Sequence, residues 1–151
     1  NIKFGCPNAT HEQVVEAAGK ACCHEFISAL PDGYDTVIGE GGATLSGGEK
    51  QRISIARCLL KNAPIVIFDE ATANVDPENE DQLQRAIEAL TREKTVLMIA
   101  HRLKTVRNAD QILVLDQGRI VQRGTHEELS AQEGIYQDFV SERTAAGHWS
   151  L

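Results

Sequence analysis

Two adjacent carboxylates, Asp69 and Glu70, close the apolar run Ile65-Val66-Ile67-Phe68. Neighbouring acids repel, and a division of labour relieves the repulsion: one holds a cation while the other acts as a base. A single imidazole, His101, directly follows a second apolar run, Thr95 to Ala100. The third stretch is Ser46-Gly47-Gly48-Glu49. Glycines at the first two positions of a helix leave the backbone N–H groups bare. With about half a positive charge from the peptide dipoles, they make a site that an anion can approach closely. Acid pair, imidazole and anion cradle could together bind and cleave a phosphate group. Each also has a plainer reading when taken singly. Strands often end in acids, Ser-Gly-Gly-Glu alone describes a capped surface helix, and an isolated histidine reads as a satisfied core residue. Placement at one sheet edge is what turns His101 and the acids toward function.

The elements that must position these groups follow from local pattern. Ala63-Pro64 leads into Ile65 to Phe68, which reads as a short strand buried on both faces, its acids at the carboxyl end. In open parallel α/β sheets that edge forms the ligand crevice. Ser46 caps a helix running to about Lys61, Glu49 reaches back to it, and Ile53, Ala56, Leu59 and Leu60 form the stripe behind. The two leading glycines cost about 1 kcal/mol each against Ala, so something should compensate. Asp76-Pro77 opens another helix, with Leu83, Ala86, Ile87 and Leu90 at helical spacing to about Arg92. Thr95 to Ala100 reads as a second buried strand.

Upstream, residues 1 to 9 read as a loop, and Thr10 with Gln13 as a capping box opening a helix to about Lys20. A short helix over Cys23 to Leu30 is broken by Pro31-Asp32-Gly33, and the glycines between Tyr34 and Leu45 are too many for a helix. Downstream, 111 to 116 and 119 to 123 alternate around Asp116-Gln117-Gly118, a hairpin signal. Thr125 with Glu128 opens a further capped helix, Ile135 to about Arg143 is the last, and 144 to 151 is expected to fray, with Trp149 its only anchor.

Length and charge set the bounds. The chain has 151 residues and a net charge of −7, which argues against a broad nucleic-acid footprint. No apolar run approaches the roughly 20 residues of a membrane-spanning helix, and the first residues lack the apolar stretch of a secretory signal. Cys6, Cys22, Cys23 and Cys58 have no paired CxxC spacing, so reduced thiols are expected rather than zinc. The start, without Met and in mid-pattern, suggests a fragment of something longer.

Leu45-Ser46-Gly47-Gly48-Glu49-Lys50-Gln51-Arg52, then Ile65 to Glu70, then Ala73-Asn74-Val75-Asp76, then His101 resemble, in order and spacing, the ATPase domain of ATP-binding cassette (ABC) transporters. They match that family's signature motif, Walker B strand with its following glutamate, D-loop and switch histidine. Leu30-Pro31-Asp32-Gly33-Tyr34-Asp35-Thr36, leading to Gly39-Glu40-Gly41-Gly42, is similar to the segment before the signature in exporter-type members. Two positions depart from the common pattern: Glu49 stands where many relatives have Gln, and the D-loop lacks the usual Ser. No Gly-x-x-x-x-Gly-Lys-[Ser/Thr] occurs, so the loop that cradles phosphates is missing and this chain alone should bind ATP poorly.

The resemblance implies an α/β P-loop NTPase fold in part: a helical signature subdomain over 1–62, the C-terminal part of a mostly parallel core sheet over 63–143, and a tail over 144–151. It implies an ATPase that couples hydrolysis to export. Glu70 would be the base, His101 would contact the γ-phosphate, and Asp69 would hold Mg²⁺. Leu45, Ser46, Gly47, Gly48 and Gln51 would meet ATP held by a second ATPase domain, identical or different. Asp76 would link the two sites, and Glu40 would lie near the coupling helices of the transmembrane domains. The location implied is the cytoplasmic face of the cell membrane, with no nucleic-acid partner. Two alternatives stand beside this: an ABC ATPase that moves no solute, and a catalytically silent partner in an asymmetric pair.

Overall fold

Residues 1–39, 43–69, 77–99 and 106–147 are described by the structure, a computed structural model. They fall into two compact units, Asn1–Met98 and Ile99–Leu151.

In the first unit the chain opens with a 3₁₀ turn over Ile2–Gly5, where the sequence had suggested only a loop. Arg57 fixes it by donating from Nε to the Asn1 carbonyl and from Nη2 to Asn1 Oδ1, both at 3.0 Å. The turn lies so close to the helix that carries Arg57 that a Cβ on Gly5 would collide with the Arg57 carbonyl oxygen. Helix α1 (His11–Lys20) starts at a reciprocal capping box: Thr10 N donates to Gln13 Oε1 at 2.9 Å and Gln13 N to Thr10 Oγ1 at 3.3 Å. Helix α2 is confined to His24–Ser28. Helix α3 (Gly47–Lys61) ends at Asn62, whose left-handed backbone (φ 50°) closes it. Among the described residues between α2 and α3 there is no α-helix: a 3₁₀ turn at Gly33–Asp35 precedes an isolated bridge of Ile38 with Ala43.

Strand β1 (Ile65–Asp69), helix α4 (Pro77–Thr91) and strand β2 (Thr95–Ile99) follow, the unit's boundary falling after Met98 in β2. Thr95 N donates to the Pro64 carbonyl at 3.1 Å, so the start of β2 lies beside the start of β1. The strands are hydrogen-bonded neighbours and run the same way, with α4 as the crossover that such a pair requires. One core joins Val14, Ile27, Leu45, Ile53, Ile55 and Ala56 to Val66, Phe68, Leu83, Ala86 and Leu90.

Burial of the strands differs from expectation. Val66 and Phe68 are buried, but Ile65 and Ile67 are 59% and 66% exposed, and every residue of β2 is exposed. Strand side chains alternate between faces, and among the described residues the core covers only one face of β1.

The second unit holds a hairpin of β3 (Ile112–Asp116) and β4 (Arg119–Gly124), followed by α5 (His126–Ser130) and α6 (Ile135–Gly147). Asp116 faces Arg119, and the two loop residues Gln117 and Gly118 have φ of 46° and 75°, the left-handed pair that a tight hairpin turn uses. The register shifts by one after Val114, leaving Val121 as an extra residue in β4. Thr125 and Glu128 form a third reciprocal capping box. Ile112, Leu129 and Tyr136 make the core, and Tyr136 is tied by its hydroxyl to His126 Nδ1 at 2.9 Å. Helix α6 runs past residue 143 to Gly147 because Ala145 and Ala146 favour helix over fraying; Trp149 lies outside the described residues. Among the described residues, no helix is long and apolar enough to cross a membrane.

Candidate functional site

The start of α3 is built as its residues suggest. Ser46 is extended (φ −63°, ψ 164°), its backbone N–H donates to Glu49 Oε2 at 2.8 Å, and its Oγ accepts from Glu49 N at 3.3 Å. Lys50 N then donates to the Ser46 carbonyl at 3.1 Å, beginning the helical ladder. The N–H groups of Gly47 and Gly48 precede that ladder and have no intrahelical acceptor. The Ser46 hydroxyl accepts within the box, so its own proton can serve an outside acceptor. Ser46 and Gly47 are exposed, and a Cβ at Gly47 would meet nothing within 4 Å. One side of the turn therefore stands open to a ligand or a second molecule.

The other side is anchored. Leu45 is 5% exposed and belongs to the core, Gly48 is buried, and Gln51 is half-buried. Leu45 thus fixes the chain before the cap instead of offering a side chain to solvent. Ile53, Ile55 and Ala56 are buried, and Leu59 and Leu60 pack against the same core, so the buried arc is wider than the sequence stripe.

One functional candidate was not singled out by residue type. Arg52 is only 3% exposed, and its guanidinium carbon lies 5.4 Å from the centroid of the Phe26 ring on α2. Nearby Cys23 is fully buried; burial pushes its thiol up to about 12, against a smaller downward pull from the Arg52 charge. Cys23 is held as a neutral thiol. Burial likewise raises the Tyr34 hydroxyl, whose Oη lies 2.9 Å from His24 Nδ1.

Asp69 is exposed at the carboxyl end of β1, and Val66 and Phe68 hold that strand against the helices. An exposed carboxylate at a strand end suits a small cation that keeps most of its water, as Mg²⁺ does. The co-directional strands bring Asp69 and Met98 toward the same sheet edge. Glu70 and His101 follow those strands in sequence, but they, Asp76 and Glu40 lie outside the described residues.

A profile of the ABC transporter family matches residues 7–73. The chain is 57% identical over 136 residues to the ATP-dependent lipid A-core flippase of Syntrophus aciditrophicus, covering 90% of this chain and 23% of that protein. It is 52% identical over 141 residues to a putative multidrug export ATP-binding/permease protein of Staphylococcus aureus, covering 93% and 24%. Among solved structures, a bacterial Atm1-family ABC exporter with ATP bound matches with a TM-score of 0.80 and 44% identity, over 94% of this chain and 25% of that one. The chain spans about a quarter of the length of these relatives.

Proposed function

Because this chain belongs to the ATPase-domain family of ABC transporters, we propose that it is the C-terminal part of the nucleotide-binding domain of an exporter. On this reading the full-length protein couples ATP hydrolysis to movement of a solute across the membrane, and this portion lies at the cytoplasmic face. The observation that carries the proposal is the start of α3: a doubly capped, glycine-fronted turn, anchored by Leu45 on one side and open at Gly47 on the other. Bare N–H donors on an open turn suit a phosphate presented from outside the unit.

The roles follow from the chemistry of each group. Ser46, Gly47 and Gly48 grip the γ-phosphate of ATP held by a second ATPase domain, identical or different, with Gln51 beside them. Asp69 would hold Mg²⁺, which would supply positive charge to offset the negative charge of the phosphate oxygens. Glu70 orients the attacking water and takes its proton, a role worth about 10²–10⁴-fold in rate. His101 donates toward the γ-phosphate as charge grows during transfer. Asp76 links the paired sites, and Glu40 faces the coupling helices of the transmembrane domains. Closure on ATP and release after hydrolysis then switch those domains between inward-facing and outward-facing states.

Glu70→Gln in the full-length transporter tests the assignment. Steady-state hydrolysis should be lost while ATP binding persists. Turnover within a few-fold of the parent protein would remove Glu70 from the role of base.

A further inference from the structure

A cation buried behind the signature turn calls for an explanation that phosphate contact does not supply. Arg52 is the buried charged residue of the first unit's described core, 3% exposed, while the candidate phosphate contacts Ser46 and Gly47 face solvent. Residues three and four apart share a helix face, so Arg52 lies one turn below Gly48 and Glu49. Long helical side chains lean back toward the helix start, so this one underlies the turn that the capping box closes.

Its guanidinium sits over the Phe26 ring at 5.4 Å, which ties α3 to α2. Phe26 in turn packs against the core, and Cys23, just before α2, is close enough to feel the Arg52 charge. The capping box fixes the turn's own backbone, but nothing within the box sets where the turn points relative to the rest of the unit. A stacked, planar cation on a neighbouring helix can do so.

We propose that Arg52 is a positioning residue for the signature turn: by stacking on Phe26 it fixes the direction in which Ser46, Gly47 and Gly48 present their donors. This rests on the proposed role of that turn in gripping ATP. Arg52 touches no phosphate; it acts through the orientation of α3.

The test uses Arg52→Lys, which keeps the charge and loses the planar face, and Phe26→Leu, which keeps an apolar side chain and loses the ring. In the full-length transporter each should raise KM for ATP by about two- to thirtyfold, the range spanned by a cation–π contact. The double variant should be no worse than either single one, and Phe26→Trp should restore near-parental KM. In the 151-residue chain, hydrogen exchange should quicken at the Glu49 and Lys50 amides, which bond to Ser46, and stay unchanged in α1. Unchanged KM in both folded single variants, additive effects, or protection lost evenly across α1, α3 and α4 would overturn the proposal. Ser46→Ala separates this from the reading beneath it. If Ser46→Ala raises KM and Arg52→Lys does not, only the positioning role fails; if Ser46→Ala leaves KM unchanged, the phosphate-gripping turn and the positioning role fall together.

Discussion

Substitution of Gly47 by Asp separates what the fold needs from what the proposed function needs. A Cβ at position 47 meets nothing within 4 Å, so the new side chain projects into open space without displacing a neighbour. Asp is itself a poor helix former, so replacing glycine by it recovers only about 0.3 kcal/mol, and a carboxylate in the first turn adds about 0.3–1 kcal/mol from the helix dipole. Glu49 already occupies that turn, so the net gain should be near the lower end, about 0.6 kcal/mol. For a chain of this size that raises the melting temperature by about 1–2 °C. A phosphate gripped by the same turn would meet the new charge at about 4–5 Å, a repulsion of about 3–4 kcal/mol at an effective dielectric near 20. ATP-dependent turnover in the full-length transporter should fall by about two to three orders of magnitude, while Gly47→Ala, which adds bulk without charge, loses far less. Thermal melting of the chain and ATP titration of the transporter read the two effects separately. A variant that melts higher yet keeps parental ATP dependence would refute the anion-gripping role; one that melts lower would refute the account of an open, unstrained position.

The remaining expectations are narrower. Glu49→Gln keeps an oxygen to accept from Ser46 N, now 2.8 Å from Glu49 Oε2, so melting should barely change, while removing a carboxylate near the anion site should lower KM for ATP by about fivefold; an unchanged or higher KM contradicts this. Mg-ATP added to this chain alone should give no appreciable thermal shift, since the sequence has no Gly-x-x-x-x-Gly-Lys-[Ser/Thr] loop; a clear shift at micromolar ATP would show the loop to be dispensable. The Cys23 thiol rises from an ordinary 9.0 to about 12 in the folded chain, so its contribution to stability is complete below pH 9 and is lost as pH climbs from there toward 12. Cys23→Ala should flatten that alkaline decline, and in the native parent chain a thiol reagent at pH 8 should label exposed Cys58 well before Cys23.

What the sequence disclosed and what it concealed divide along the range of the forces involved. The capping boxes at Thr10, Ser46 and Thr125 and the left-handed Gln117-Gly118 turn were legible because their hydrogen bonds and torsions close within three or four residues. The faces of β1 and β2 were not: an apolar run specifies a strand, but which side chains are covered depends on helices far along the chain. The same limit hid the turn at Ile2–Gly5, which exists because Arg57, more than fifty residues on, binds Asn1. Arg52 is the sharpest case. Composition assigns an arginine to the surface, and its stacking on the ring of Phe26, on another helix, is a contact that residue type does not announce. The candidate site inherits this division: the donors that face a ligand are set by local rules, whereas their aim is set by a contact that no local pattern encodes. A variant at Ser46 or Gly47 should therefore alter what the turn can bind, and one at Arg52 or Phe26 where it points.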